Sequence, residues 1–160
     1  MSTHGTVSQS DVVAVMRSER IVMLTTSTAD GKLVAHPMTV QEVSDDADVW
    51  LFVDLESDHA DALRANPAVN VAFSKPGSWL SLSGTVEFVT DRAKTEALWD
   101  GAVDAFFDGV DDPRLGLIRI HVDSAQFWGK PGGAPAVLAA MVTAKVTGKK
   151  PEGTSGTTEL

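Results

Sequence analysis

Between Leu51 and Leu63 the sequence reads LFVDLESDHADAL: an apolar, β-like run passes through Asp54, Glu56, Ser57, Asp58 and His59 into a helix-like segment. A strand-to-helix junction presents backbone N–H groups and the positive end of a helix dipole, a setting that suits a phosphate or a carboxylate. Here the junction is acidic. Ser57 can offer a hydroxyl, or simply cap the helix, and His59 can gain positive charge. The other histidines, His4, His36 and His121, have no metal-ligand spacing, and there is no Gly-rich phosphate loop. The turn FFDGVDDPR lacks the ligand spacing of a calcium loop and reads as turn chemistry, with Arg114 paired to a nearby aspartate. With no cysteine in 160 residues, thiolate nucleophiles and disulfides are excluded. Any redox chemistry must come from a bound cofactor.

The elements that would position these groups alternate short helices with β-branched runs. Ser8 and Ser10 are good N-caps for a helix through Arg17. Arg20 to Thr28 and Lys32 to Val43 form a hairpin around Ala29-Asp30-Gly31. Val49 to Val53 is a third strand, Asp58 to Ala65 a helix ending before Asn66-Pro67, and Val69 to Ser74 a fourth strand. WLSLSGTVEFV alternates apolar and polar residues around Gly84, as expected of a bent barrel strand. Thr90 or Asp91 caps a helix to about Trp99, Ala102 to Phe107 continues helically, and Leu115 to Val122 is a sixth strand. The order favours a small antiparallel barrel, mainly β with short helices, over a parallel fold. Residues 8–146 read as one domain, with 134–146 a helix or a strand, and the polar, Gly/Thr-rich 147–160 as a disordered tail.

A formal net charge of -9 and a pI near 4.7 repel phosphate backbones and anionic lipid, so neither nucleic acid nor membrane is an expected partner. No apolar run approaches the ~20 residues of a membrane span, and MSTHGTVSQSD lacks the basic start and apolar block of a secretion signal. A soluble, cytoplasmic protein is the expectation.

Five segments occur in an order and spacing shared with a known family: DGKLVAHPMTVQ, WLFVDLESDHADALRANPAVNVAFS, SLSGTVEFVTDRAKTEALW, FFDGVDDPRLGLIRI and AQFW. On these the chain resembles the flavin-binding split-barrel proteins related to pyridoxamine 5'-phosphate oxidase, most closely the general stress protein 26 branch. The resemblance implies a six-stranded antiparallel split barrel of α+β type and a homodimer with FMN in a cleft between subunits. It places His36, Pro37, Met38 and Thr39 beside the flavin ring, with His36 where the family usually has arginine. Val53, Asp54, Ser57 and His59 match the phosphate loop, with Asp58 and His59 standing where basic residues are expected. Trp79 matches a position against the cofactor and Trp128 a tryptophan lining the flavin cleft.

The residues after Trp128, GKPGGAPAV, lack the Arg and His that hold the phosphorylated substrate in the vitamin-oxidising members. Oxidation of pyridoxine phosphate is therefore not expected. The expected function is a flavin-dependent oxidoreductase. The weakened basic loop leaves two alternatives: a reductase using a deazaflavin coenzyme, and a non-catalytic flavin-binding or stress-response dimer. If His59 is the phosphate's cation, FMN affinity should rise as it protonates below its usual pKa of ~6.5.

Overall fold

Ser8 opens the first element with a capping box: its hydroxyl accepts from the Asp11 amide, and the Asp11 carboxylate accepts from the Ser8 amide. Helix α1 (Gln9–Arg17) buries Val12, Val13 and Met16 against the sheet. The computed structural model describes residues 8–129 and 154–160, so the helix or strand expected over 134–146 lies outside the described residues.

Strands β1 (Ile21–Ser27) and β2 (Leu33–Val43) form the expected hairpin, turning at Gly31 with φ of +82°. Then come β3 (Val49–Asp54), α2 (Asp58–Ala65), β4 (Ala68–Lys75), β5 (Ser78–Val89), α3 (Arg92–Leu98, capped by Asp91) and β6 (Leu115–Gly129). All pairings are antiparallel, in the order β3-β2-β1-β4-β5-β6, and β3 also pairs with β6, which closes a six-stranded barrel. The interior is aliphatic, with Leu24, Val71, Leu82, Leu51, Ile118 and Ile120 fully buried.

Three elements differ from the sequence expectation. The helical run over Ala102 to Phe107 contracts to one 3-10 turn, Val103–Ala105, because the Asp100 carboxylate takes the Ala102 amide in a local turn. β6 continues past Val122 to Gly129, since its inward residues Val122, Ala125 and Phe127 keep packing beyond a bulge at Ser83/Gly84. The tail expected to be disordered contributes β7 (Thr154–Glu159), paired with Ser124 to Gly129 of β6. β3 covers the same edge of β6 only from Leu115 to Ile120, so the second half offers unpaired backbone groups that a Thr-rich strand can occupy.

The outer face of the sheet has an unusual composition. Opposed residues on neighbouring strands share a face, so Pro37, Met23, Ala72, Ser81 and Gln126 form one outward row, with Ala35, Thr25, Asn70, Ser83 and Ser124 as the next. Ile21 lies beyond the first row, opposite Thr39, and Trp79 pairs directly with Trp128. None of these side chains is charged, although 22% of the chain is. Ile21 is 59% exposed, and Met23, Trp79 and Trp128 are exposed as well. Beyond the bulge the surface becomes ionic. Buried Asp48 accepts from Arg119 Nε at 2.8 Å, and the His121 ring contacts Glu87 at 2.6 Å.

Candidate functional site

The outer face of β3 is covered by a second, smaller core. Phe52, Val103 and Leu117 are buried there, with Trp99 and Phe107 packed against them. Between this core and the β2–α2 side of the barrel lies a cleft of ≈ 330 Å³, within the range of small-molecule sites. Pro37, Met38, Thr39 and Gln41 line it from β2, and Phe52, Val53 and Asp54 from β3. Ser57 and His59 come from the start of α2, and Ala102, Val103, Phe106 and Phe107 from the connection to β6.

His59 is the chemically exceptional member. Among the described residues, its Nδ1 and Nε2 are the buried side-chain nitrogen or oxygen atoms that have no hydrogen-bond partner. Such groups are normally satisfied; both nitrogens are closed to solvent, so His59 meets the cleft through its ring and not through a free donor or acceptor. The His36 ring packs on it at 4.4 Å between centroids. Burial, and the neighbouring His36, lower the His59 pKa to about 4. This corrects the sequence expectation. In the free protein His59 is neutral at pH 6.5, and the window in which it could supply charge moves down to about pH 4.

Ser57 is already committed. Its hydroxyl donates to the Asp54 carbonyl at 2.6 Å and accepts from the Ala60 amide at 3.1 Å, the N-cap role. Asp54 Oδ1 takes the Glu56 amide, which tightens the loop. The nearest cations are occupied: Arg114 pairs with Asp112 at 2.9 Å and lies 3.7 Å from Asp54, and Arg64 pairs with Asp61 while donating to the Leu55 carbonyl. Asp112 is held to a pKa of about 2, first by Arg114 and then by the Asp108 and Arg114 amides. This is the turn chemistry expected of DGVDDPR.

Pro37, Met38, Thr39, Val53, Asp54, Ser57 and His59 are thus brought together at the cleft. His36 packs against His59 with the two rings tilted by 58°. Trp79 and Trp128 lie elsewhere, on the uncharged outer face. Gln41, Phe52, Ala102 and Val103 carry no sequence signal for this site. Phe106 and Phe107 stood out in the sequence only as part of the FFDGVDDPR turn, not as cleft walls. Phe106, 72% exposed, sits at the mouth. No group of three or more His, Asp or Glu side chains is placed for a metal among the described residues, and none of their helices is long and apolar enough to cross a membrane.

A split barrel with a cleft between β2, β3 and the start of α2 defines the class, and the sequence agrees. The family model described as pyridoxamine 5'-phosphate oxidase like matches residues 8–152, and the chain belongs to that family. Protein bli-3 of Neurospora crassa is 29% identical over 152 residues, covering 87% of this chain and 73% of that one. The structure of a protein from Jannaschia sp. CCS1, assigned to general stress protein 26, superposes with a TM-score of 0.74 at 25% identity, covering 92% of this chain and 95% of the other. The general stress FMN/FAD binding protein of Xanthomonas citri is 32% identical with a TM-score of 0.66, covering 78% of this chain and 90% of that one.

Proposed function

We propose that the chain binds a flavin, with the ring in the cleft walled by Phe52, Val103 and Phe107 and its polar edge meeting β2. The observation that carries this reading is a cleft that combines an aromatic and aliphatic wall, Phe52, Val103, Phe106 and Phe107, with the polar Thr39 and Gln41 of β2. A flavin ring needs that combination: a flat apolar slot and a few polar contacts at one edge. FMN is the cofactor in the first instance, in keeping with the family and with the FMN/FAD-binding Xanthomonas relative. When bound it would carry hydride or electrons, while the chain supplies orientation and excludes water. The absence of the Arg and His found after this tryptophan in the vitamin oxidases argues against pyridoxine phosphate as substrate.

The test is a titration with FMN and with a deazaflavin coenzyme, monitored by tryptophan fluorescence. Trp99 packs at a tilt against Phe52 of the cleft wall, 6.1 Å between ring centroids, so a ring entering the cleft should quench it. Quenching by FMN alone supports the flavin reading, and quenching by the deazaflavin coenzyme alone replaces it. Bound flavin that every nicotinamide donor leaves oxidised would favour the non-catalytic alternative.

The uncharged outer face supports a homodimer. On a chain of net charge -9, a face without charge lets two copies meet without like-charge repulsion, and its exposed Ile21, Met23, Trp79 and Trp128 supply apolar area. Pro37 and Thr39 belong to both this face and the cleft wall, so the cleft would open at the subunit boundary. Trp79 and Trp128 would then act at that boundary rather than in the cleft of their own chain. Light scattering should give twice the chain mass, and Ala72→Arg, which puts a charge at the centre of the face, should give a single chain mass. A monomeric parent protein would rule the dimer out.

A further inference from the structure

Resting on the flavin reading, we infer that this cleft recognises the flavin by its ring and not by its phosphate, so that riboflavin binds at neutral pH about as well as FMN. The place where a phosphate would meet the start of α2 is built against a dianion. Asp54, on the cleft wall, is followed by Glu56, Asp58 and Asp61, so four carboxylates lie within eight residues of chain. The Ser57 hydroxyl has no proton left to offer, since it donates to the Asp54 carbonyl. Arg114 and Arg64, the cations of the neighbourhood, are held by Asp112, Asp54, Asp61 and the Leu55 carbonyl.

The His36 ring packs against His59, Asp54 lines the same cleft, Glu56 and Asp58 flank the Ser57–His59 segment in sequence, and no lysine or arginine lines the cleft among the described residues. His59 itself stays neutral at pH 7. The helix dipole remains, but half a charge at the end of an eight-residue helix is opposed by the full charges of its own first-turn Asp58 and Asp61. A second copy seated on the outer face adds no cation from the described residues of that face, because an isologous contact presents the same face twice.

What the cleft does offer is an aromatic and aliphatic wall, Phe52, Val103, Phe106 and Phe107, which fits a flavin's ring and not its phosphate. Isolated charge-assisted bonds to phosphate are worth roughly ten- to a hundredfold in affinity. Their absence removes the usual advantage of FMN over its dephosphorylated form.

The experiment is a pair of fluorescence titrations, riboflavin and FMN, against the full chain at about pH 7.5, where the phosphate is a dianion. The expected result is dissociation constants within about threefold of each other, less than one charge-assisted bond would produce. FMN binding tenfold or more tightly would overturn the inference and leave the flavin reading standing. Binding of neither would overturn the flavin reading and the inference with it.

His59→Lys makes the inference work in the other direction. It should tighten FMN by about tenfold or more and leave riboflavin within about threefold of the parent. Retained riboflavin binding shows that the variant is folded. Unchanged FMN affinity in that folded variant would overturn the placement of the phosphate end beside His59.

Discussion

A chain carrying Gly84→Val is expected to lose about 3 kcal/mol of stability or more, enough to lower its melting temperature by roughly 6–12 °C. Gly84 stands at the β5–β6 bulge, opposite Val122 and close against the His121 carbonyl. A Cβ added there would run into the carbonyl oxygen of His121 and lie 3.1 Å from both the carbonyl carbon of that residue and Ile120 Cγ2. The obstacle is backbone, which cannot rotate aside, so Gly84→Ala should also destabilise clearly. Gly101→Ala is the control: nothing lies within 4 Å of its added Cβ, and thermal unfolding should be nearly unchanged. Equal melting temperatures for the Gly84 variants and the parent would mean that the strands do not cross as described. The bulge matters for function because it marks the boundary between the uncharged face and the ionic surface around Asp48 and Arg119.

Stability should also fall with acidification through a window set by His59. Its pKa in the fold is about 4, below the ordinary value of about 6.5. The unfolded chain therefore takes up a proton first as the pH drops. The stability associated with neutral His59 is fully present above pH 6.5, declines through the interval, and reaches its floor near pH 4. The shift sets an upper limit of about 3 kcal/mol, reduced to roughly 1–2 because the ring is only partly buried. Urea midpoints at about pH 7.5 and about pH 4.5 test it, comparing the parent with His59→Gln, which cannot titrate. The parent should lose more stability than the variant between the two conditions. Identical losses would show that His59 is not held neutral by its surroundings.

Much of the barrel was legible because its signals are local. The helix over Asp58 to Ala65 is bounded by Ser57 as its cap and by Asn66-Pro67, and the structure keeps those limits. The β1–β2 hairpin arises from the Asp30-Gly31 turn, and the outward alternation of Trp79, Ser81 and Ser83 could be read directly. The length of β6 could not be read, because the polar residues after Val122 look like the end of a strand when they are its outward half.

At the site, chain-local residues were found and chain-distant ones were not. His36 and His59 are 23 residues apart in sequence, from 59 − 36, and their contact depends on how the start of α2 packs against the sheet. Val103 and Phe107 enter the cleft only because the 3-10 turn folds over β3. The junction at Asp54 to His59 looked like a phosphate loop with the wrong residues. In three dimensions its serine caps the helix, its acids lie at the helix start, and its histidine lines the cleft as a neutral ring with both nitrogens buried. Those features favour the ring of a flavin over its phosphate.

The measurement that bears most directly on flavin binding is the absorption spectrum of the purified protein, with mass spectrometry of whatever it carries and a flavin titration of any empty fraction. The expected result is a yellow protein, or a colourless one whose tryptophan emission is quenched as riboflavin or FMN is added. A colourless protein whose emission stays unchanged through both titrations would contradict a flavin site in this cleft.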